Sequence, residues 1–403
     1  MNIDEIINSI DSNNLDIAFG RVVNISAVTL SAVGLDVAVG DIVRIESAQK
    51  LYTVLGMVTV LKDGLFVIVP FSFIDGFKIN DKVFLQRDGL TVKCGNGLLG
   101  RVVNALGDPI DDLGKIKDLD TNAPINKESM SPLDRGIIDK KFATGVKAID
   151  SMLTCGKGQK VGIFAGSGVG KSTLMGMIVQ GCEATIKVIA LVGERGREIP
   201  EFIHYNLNNN LENTVIVTAT SDESPLMRKY AAFTAMTIAE YFRDKGYDVL
   251  LMMDSVTRFA MAQREIGLST GEPPVSRGYP PSVFALLPQL MERAGNSKKG
   301  SITAFFTVLV DGDDLNDPIA DQSRSILDGH IVLTRDLTEQ GFYPPINILK
   351  SASRVIDKVV TKEHYNDFLK LKRVLSLIKE NEVLIRVGAY KKGMDLELDS
   401  AIA

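Results

Sequence analysis

The chain has few cysteines, no long apolar run and no excess of positive charge. Its three cysteines lie far apart without a Cys-x-x-Cys pair, which argues against a disulfide framework or zinc site and favours reduced thiols in a reducing cytosol. No apolar run approaches the roughly 18 residues that cross a bilayer. The acidic start, residues 1–5, is not followed by the apolar segment of a secretory signal. A formal net charge of −5 argues against a dominant surface for nucleic acids or acidic membranes.

The length of 403 residues is too great for one ordinary domain and predicts two or three. Apolar residues make up 45% and charged residues 24% of the chain, as is ordinary in a soluble globular protein. Within residues 1–88, short apolar or alternating runs are closely separated by Gly, Asp and Asn, which predicts a small closed β-barrel. The predicted strands are residues 20–25, 41–45, 52–58, 64–69 and 81–85.

From residue 89 to residue 358, longer strand patterns alternate with helical ones, which predicts an α/β domain with a mostly parallel sheet covered by helices. The predicted strands are residues 160–164, 187–192, 214–218, 249–253, 302–309 and 330–333, and a helix is predicted over residues 225–245. Residues 359–403 contain no strand pattern, and the periodicity of residues 368–378 predicts a helical C-terminal domain.

A glycine-rich loop ending in Gly-Lys-Ser lies between the strand of residues 160–164 and an apolar helical stretch. This layout is typical of a cradle for the phosphates of a nucleoside triphosphate, because backbone N–H groups turn inward and the helix N-terminus favours negative charge. Lys171 is expected to reach the β- and γ-phosphates and the Ser172 hydroxyl to ligate Mg²⁺. Ala165 stands where the strict pattern has its first glycine, and its small side chain should leave the turn intact.

We therefore predict that the chain binds ATP or GTP. The alternative is a glycine-rich turn without a ligand, which the agreement of loop, strand and helix disfavours. The predicted nucleotide-binding residues of the loop are Gly166, Ser167, Gly168, Val169, Gly170, Lys171, Ser172 and Thr173.

Two carboxylates follow predicted strands at the same edge of the sheet. Asp254 ends the strand of residues 249–253, where Mg²⁺ is held in such folds, although a cap of the next helix is the alternative. Glu194 lies in the sequence GERGRE at residues 193–198 and can orient and polarise an attacking water. An exposed, salt-bridged cluster is the alternative, which we favour for Arg197 and Glu198.

Three arginines and one tyrosine are further candidates. Arg195 and Arg258 either compensate charge that develops on the phosphates or pair with the carboxylates, and the sequence leaves both roles open. Tyr343, in the sequence GFYPP at residues 341–345, either stacks on a base or is a core aromatic at a domain junction. Arg354 follows the sequence SAS and is a candidate arginine finger, which acts on phosphate in its own chain or in a neighbouring subunit. The residues alone give no reason to prefer Arg354 over the other arginines for this role.

Together these segments resemble the catalytic subunits of rotary ATP synthases, and more closely the type III protein-export ATPase family, above all its flagellar branch. The resemblance extends from about residue 97 to the end of the chain. The motifs that carry it are SDESPLMRKY at residues 221–230, DSVTRFAMAQREIG at 254–267, GEPP at 271–274, GYPP at 278–281, LMERAG at 290–295, DPIAD at 317–321 and ILDGH at 326–330.

The resemblance implies a RecA-like P-loop core between an N-terminal β-barrel and a C-terminal helical domain, assembled as a homohexamer with ATP at subunit interfaces. It implies Mg²⁺-dependent ATP hydrolysis coupled to flagellar type III protein export, with docking and release of chaperone–cargo complexes. By the matching motifs, Glu194 corresponds to the water-activating carboxylate and Asp254 to the magnesium-site residue. Tyr343 corresponds to the adenine-stacking aromatic, and Arg354 to the finger that reaches the neighbouring subunit's site.

The resemblance also implies export-gate, stalk-like and regulatory partner subunits, and a cytoplasmic location peripheral at the inner face of the cell membrane. Virulence-type secretion and a rotary ATP synthase or vacuolar-type subunit remain alternatives. An RNA-translocating hexamer would need a basic barrel with aromatic residues, whereas this barrel is mixed in charge, so no nucleic-acid partner is expected. A non-catalytic nucleotide-binding subunit would carry a different residue at the position of Glu194.

The chain departs from the family pattern at both ends. The segment before the barrel is short and offers little of an amphipathic extension. The chain ends at Ala403, where the family pattern leads us to expect a few more helical turns. We expect a shortened C-terminus to affect partner contacts and stable hexamers, and to leave the fold and the nucleotide site intact.

Overall fold

The N-terminal part of the chain is a closed β-barrel. The computed structural model of the chain describes residues 18–47, 52–310, 314 and 316–402. Six described strands close the barrel in the order β1-β2-β5-β4-β3-β6, and all neighbours are antiparallel. They are β1 (Gly20–Ile25), β2 (Leu30–Val33), β3 (Ile42–Glu46), β4 (Thr53–Lys62), β5 (Leu65–Pro70) and β6 (Lys82–Gln86).

Alternate side chains of these strands fill the barrel. Val22, Ile45, Ile68 and Val83 have no exposed surface, so the barrel has a packed interior. The predicted barrel is confirmed. The sequence pattern does not predict β2, because a strand of four residues shows too little alternation to be recognised. The predicted lack of an amphipathic extension concerns residues 1–17, which lie outside the described residues.

The other strands are β7 (Thr91–Cys94), β8 (Val102–Val103), β9 (Thr121–Pro124), β10 (Lys141–Phe142), β11 (Cys155–Gly156), β12 (Lys160–Ala165), β13 (Ile186–Glu194), β14 (Thr214–Thr220), β15 (Asp248–Asp254), β16 (Gly295–Asn296), β17 (Ser301–Leu309), β18 (Gly329–Val332) and β19 (Ala352–Ser353). The α-helices are α1 (Lys147–Met152), α2 (Lys171–Gly181), α3 (Glu198–Glu201), α4 (Pro225–Asp244), α5 (Val256–Ser269), α6 (Pro281–Met291), α7 (Pro318–Ile326), α8 (Arg335–Glu339), α9 (Ile356–Val359), α10 (Lys362–Glu380), α11 (Glu382–Arg386) and α12 (Leu396–Ile402). Short 3-10 turns cover Asn96–Leu98 and Pro132–Asp134, and a π-helix covers Phe202–Asn206.

A mostly parallel sheet forms the centre of the molecule. Its strand order is β19-β18-β12-β17-β15-β13-β14-β8, with β16 beside β17. All pairs from β18 to β8 are parallel, and β19 and β16 pair antiparallel. Because β12, β13, β15 and β17 run in the same direction, their carboxyl ends meet at one edge, which is where α/β sheets bind ligands.

Helices cover both faces of this sheet. In β13, Val188 and Ala190 pack on the side of α4 and α5, whereas Ile189 and Leu191 pack on the side of α1 and α2. A strand buried on both faces appears in the sequence as a continuous apolar run, and for this reason the central strands are the best predicted ones. The Ser224 side chain caps α4 by accepting a hydrogen bond from the Met227 N–H.

The described residues after β19 form helices and turns, with α10 as the longest element. The predicted fold class, an α/β core between a β-barrel and a helical C-terminal part, is confirmed. In the part of the chain that the structure describes, no helix combines the length and the apolar character needed to cross a membrane. The predicted domain boundaries at residues 88/89 and 358/359 remain predictions.

Candidate active site

The phosphate loop joins β12 to α2. β12 is buried throughout and ends at Ala165, so the alanine that replaces the expected glycine lies in a strand, where a Cβ is tolerated. The turn is made by Gly168 and Gly170, whose φ angles of 76° and 91° lie in the left-handed region that favours glycine. α2 begins directly at Lys171, and the N–H groups of a first helical turn have no partner within the helix. Loop and helix together therefore offer the donors that bind phosphate oxygens.

Lys171 bridges two carboxylates that come from neighbouring strands. Its Nζ lies 2.5 Å from Oδ1 of Asp254, the last residue of β15, and 3.6 Å from Oε1 of Glu194, the last residue of β13. The Thr307 hydroxyl on β17 donates a hydrogen bond of 2.7 Å to the same oxygen of Asp254. The cluster therefore brings together Lys171, Glu194 and Asp254, three of the residues predicted from the sequence.

Burial and charge shift the pKa values within this cluster. Burial lowers the pKa of Lys171, but the charges of Asp254 and Glu194 outweigh it, so the net pKa is raised and the ammonium stays protonated. Burial, followed by the charge of Asp254, raises the pKa of Glu194 to about 7, although Lys171 opposes this shift. Glu194 Oε1 is buried and accepts no hydrogen bond from the described residues. This oxygen lies 3.6 Å from Lys171 Nζ and can still accept a hydrogen bond, so a carboxylate that ionises near neutral pH is suited here to bind and orient a water molecule.

A β-bulge at the end of β13 directs Glu194. The register between β13 and β14 shifts between Val192 and Glu194, and the intervening Gly193 has a φ of 70°. A Cβ at Gly193 would lie 3.0 Å from Cβ of Arg258, so the absence of a side chain lets α5 approach the strand end. The charge of Arg258 acts on Glu194 and lowers its pKa, against the larger effect of burial. Within the described chain the buried Nε of Arg258 has no hydrogen-bond partner.

The structure separates the two candidate arginines. Arg258 packs at the strand end that carries Glu194. The Arg195 side chain is 68% exposed and forms an ion pair of 3.8 Å with Oε1 of Glu198. Arg195 thus forms an ion pair with Glu198 of the exposed cluster, and its predicted catalytic role stays a prediction.

Tyr343 and Arg335 lie against the phosphate loop. Tyr343 is 63% exposed, and its Cε1 lies 3.8 Å from the position that a Cβ on Gly170 would take. It is therefore placed beside the loop and is not a buried core aromatic. Nη2 of Arg335, the first residue of α8, donates a hydrogen bond of 3.1 Å to the carbonyl of Ser167.

Arg354 lies at the opposite edge of the sheet from the phosphate loop of its own chain. Its N–H donates to the carbonyl of Asp328, whose N–H donates to the carbonyl of Lys160, the first residue of β12. The phosphate loop follows the last residue of β12. A strand rises about 3.3 Å per residue, so the length of β12 separates the two positions by roughly 16 Å. The structure does not bring Arg354 to Lys171 of the same chain.

The residues beside the loop fit Mg²⁺ that is bound together with a nucleotide. Asp254 is only 4% exposed and offers a carboxylate, and Ser172 offers a hydroxyl in the first turn of α2. Magnesium prefers oxygen ligands and commonly takes one or two of them from the protein and others from substrate phosphates. In the described chain no group of three or more His, Cys, Asp or Glu side chains is placed to hold a metal ion.

Comparison with known proteins places this site in a family. Residues 145–353 match the ATP synthase alpha/beta family, nucleotide-binding domain, and residues 360–403 match the T3SS EscN ATPase C-terminal domain. Over 385 residues the chain is 60% identical to the flagellum-specific ATP synthase of Helicobacter pylori, covering 95% of this chain and 88% of that protein. It is 45% identical to the type 3 secretion system ATPase of Xanthomonas euvesicatoria, covering 95% of this chain and 87% of that protein. The chain belongs to the type III protein-export ATPase family.

Solved structures of the family have the same fold. The chain is similar to the assembled ATPase EscN of enteropathogenic E. coli, with a TM-score of 0.90 and 46% identity over 95% of this chain and 92% of that chain. It is also similar to EscN in complex with its central stalk EscO, with a TM-score of 0.87, 46% identity and the same coverage. The resemblance to export ATPases predicted from the motifs is confirmed.

The sequence analysis does not predict two residues of the site, Thr307 and Arg335. Thr307 lies near the end of the predicted strand of residues 302–309, and Arg335 lies two residues after the end of the predicted strand of residues 330–333. Both strands are parallel to β12, so their carboxyl ends lie at the edge of the phosphate loop. Position at that edge is the signal in the sequence that could have identified both residues.

Proposed function

We propose that the chain hydrolyses Mg²⁺-bound ATP and couples hydrolysis to protein export through the flagellar type III apparatus. The observation that carries this proposal is the position of Lys171 between Glu194 and Asp254 at the mouth of the phosphate loop. The flagellar assignment is supported by the Helicobacter pylori relative, which is more similar than the Xanthomonas euvesicatoria enzyme. That second similarity keeps virulence-type secretion as the alternative.

Nucleotide binding exchanges the partners of Lys171. The ammonium now forms ion pairs with two carboxylates, and a triphosphate in the loop offers it oxygens that carry more negative charge. The Ser172 hydroxyl and the Asp254 carboxylate would hold Mg²⁺, which would supply positive charge against the phosphates. Thr307 fixes one oxygen of Asp254 and leaves the other for this task.

Glu194 acts on the attacking water. Its Oε1, which accepts no hydrogen bond within the described chain, accepts one from the water and directs the water's lone pair at the γ-phosphorus. As the water oxygen bonds to the γ-phosphorus, the bond from that phosphorus to the β–γ bridging oxygen breaks, ADP leaves, and a proton of the water passes to Glu194. A pKa near 7 suits a group that both takes up and releases a proton at neutral pH. Arg258 supplies positive charge beside the same strand end.

The remaining parts of the proposal concern assembly. Arg354 is far from its own phosphate loop, which supports a role as a finger in the site of a neighbouring subunit, and Tyr343 beside the loop is placed to stack on adenine. We propose a homohexamer with shared sites, and the similarity of the chain to assembled EscN supports this. The complex of EscN with EscO supports a stalk-like partner. Export-gate and regulatory subunits, chaperone–cargo complexes and a peripheral position at the inner face of the cell membrane complete the proposal.

The test is Mg²⁺-dependent ATP hydrolysis over a series of protein concentrations, with mass photometry on the same samples. Specific activity should rise as hexamers appear, because binding of subunits completes each site. The Lys171→Ala variant should form the same particles without hydrolysis, whereas Lys350→Ala, which changes an exposed lysine, should hydrolyse at the rate of the unchanged chain. Activity that does not depend on concentration would contradict shared sites. Addition of poly-C RNA should leave the rate unchanged, and a stimulation would favour an RNA-translocating hexamer.

A further inference from the structure

Asn206 is docked on one face of α2, the helix that follows the phosphate loop. Its Nδ2 donates a hydrogen bond of 3.2 Å to the carbonyl of Ser172, and its own carbonyl accepts one of 2.5 Å from Nε2 of Gln180. Between them, a Cβ on Gly176 would lie 2.7 Å from Cβ of Asn206. Ser172, Gly176 and Gln180 are four residues apart and so lie on one face of the helix. Asn206 therefore sits in a groove that exists because residue 176 has no side chain.

The segment that carries Asn206 is held firmly at this position. Asn206 is the last residue of the π-helix Phe202–Asn206, a conformation that is rare and often found at functional sites. Phe202 and Leu207, on either side, are buried in the same hydrophobic cluster as Leu174 and Ile178 of α2. Asn206 lies in the connection from β13 to β14, which begins after Glu194. One stretch of chain therefore joins the proposed water-binding carboxylate to the residue that contacts the first turn of α2.

The hydrogen bond to Ser172 acts on a particular peptide group. The carbonyl of Ser172 is conjugated with the N–H of Thr173, which belongs to the first turn of α2 and has no partner within the helix. A donor placed on the carbonyl side of a peptide polarises the group and makes its N–H a stronger donor, because hydrogen bonds in a chain reinforce one another. The N–H of Thr173 is one of those expected to bind phosphate.

We infer that Asn206 is a positioning residue that fixes the first turn of α2 and thereby sets the affinity of the phosphate loop for Mg²⁺-bound nucleotide. The inference rests on the proposed function, in which this loop binds ATP. Asn206 touches the helix backbone and the Gln180 side chain rather than the site of water attack, so its contribution is to binding and not to the chemical step. A loss of Asn206 raises KM and leaves kcat nearly unchanged.

The test compares three variants by calorimetric titration with Mg²⁺ and the non-hydrolysable analogue AMP-PNP. Asn206→Ala removes the donor and should weaken binding about three- to tenfold, as expected for one hydrogen bond at a site. Gly176→Ala displaces Asn206 by filling the groove and should weaken binding in the same way. The matched control is Asn210→Ala, which removes a hydrogen bond from the Glu212 N–H in the same segment and leaves the bonds between Asn206 and α2 in place, and should bind like the unchanged chain.

Gly176→Ala tests the same contact from the side of the helix. Alanine is the better helix former, but its Cβ would meet Cβ of Asn206 at 2.7 Å, so the unfolding temperature of this variant should fall, and binding is compared well below the unfolding temperature of every variant. Affinity equal to that of the unchanged chain in both Asn206→Ala and Gly176→Ala would overturn the inference, as would a fall in kcat with KM unchanged. If Asn206→Ala does not fold, Gly176→Ala alone decides. Failure of the unchanged chain to bind Mg²⁺ and AMP-PNP would instead contradict the proposed function itself.

Discussion

The Glu194 carboxyl is buried, lies near Asp254 and is only partly compensated by Lys171, so its ionisation is unfavourable in the folded chain. Its pKa is about 7 in the fold against an ordinary value of 4.5, so the folded chain holds this proton more tightly than the unfolded chain does. The stabilising contribution is fully present below pH 4.5 and is lost as the pH rises through about 7. The neutral amide of a Glu194→Gln variant does not ionise, so the stability of that variant does not fall through this ionisation.

We therefore expect Glu194→Gln to gain stability, relative to the unchanged chain, as the pH rises from 5 to 8. The relative gain should be about 1–2 kcal/mol, which is less than the full pKa shift would give because Lys171 and partial solvation remain. Urea unfolding at several pH values measures it. Asp248→Asn is the control, because its carboxyl has a lowered pKa and so should give no such gain over this range. A difference between Glu194→Gln and the unchanged chain that is the same at pH 5 and pH 8 would contradict the raised pKa.

Hydrolysis should depend on the same ionisation. Because kcat/KM reports the ionisation of the free enzyme, it should rise with pH through about 7. Glu194→Gln should still bind nucleotide and lose turnover by about 10²–10⁴-fold. Its residual activity should keep only the pH dependence that comes from ATP itself. A profile for Glu194→Gln with the same shape as that of the unchanged chain would assign the ionisation to another group.

At the scale of single residues, the sequence predicts the cluster but not every side-chain direction. Lys171, Glu194 and Asp254 can be predicted because each follows a strand pattern or a recognisable loop, and parallel strands end at one edge. The choice between Arg195 and Arg258 cannot be predicted from the sequence, because it depends on the bulge at Gly193 and on the approach of α5 to that bulge.

At the scale of elements, the bulge that ends β13 can be tested through Gly193. Alanine at this position has to adopt a φ of 70° and would place its Cβ 3.0 Å from that of Arg258. We expect Gly193→Ala to lose about 1–2 kcal/mol of stability from the left-handed backbone, and more from the contact. Turnover should fall further than nucleotide affinity, since the change reaches Glu194 rather than the phosphate loop. Thermal unfolding, calorimetric titration and steady-state kinetics measure the three effects.

Gly388→Ala is the matched control for Gly193→Ala. Gly388 has a similar φ of 69°, and a Cβ there would have no neighbour within 4 Å. Gly388→Ala should therefore lose only the stability that the left-handed backbone costs, and its turnover should equal that of the unchanged chain. Equal kinetic effects in both variants would mean that Gly193 matters only through stability, and the bulge would have no part in directing Glu194.

Long strands are predicted from the sequence and very short ones are not. β12, β13, β15 and β17 appear as apolar runs because both of their faces are buried. β19, with two residues, exists only through its pairing with β18, and no periodicity can be detected over that length. β19 nevertheless determines where Arg354 lies, which is why the sequence leaves its role open between a site in its own chain and one in a neighbour.

At the scale of the whole molecule, the phosphate loop and Arg354 lie at opposite edges of one sheet, so the proposed role of Arg354 as a finger requires a site shared by two subunits. In a closed ring with head-to-tail contacts, each interface combines the loop of one subunit with the arginine of the next. Lys171→Ala and Arg354→Ala should therefore each be inactive alone, for different reasons. A mixture of the two should recover activity, because some interfaces then pair an intact lysine with an intact arginine.

In rings assembled at random from equal amounts of the two variants, roughly a quarter of the interfaces contain both intact residues, so activity should approach that fraction of the unchanged chain. The control mixture combines Arg354→Ala with the double variant Lys171→Ala/Arg354→Ala, which offers no intact interface and should stay inactive. ATP hydrolysis as a function of mixing ratio, with native mass spectrometry to verify mixed rings, makes the measurement. Mixed rings without any recovered activity would exclude Arg354 as a residue that acts in the neighbouring site.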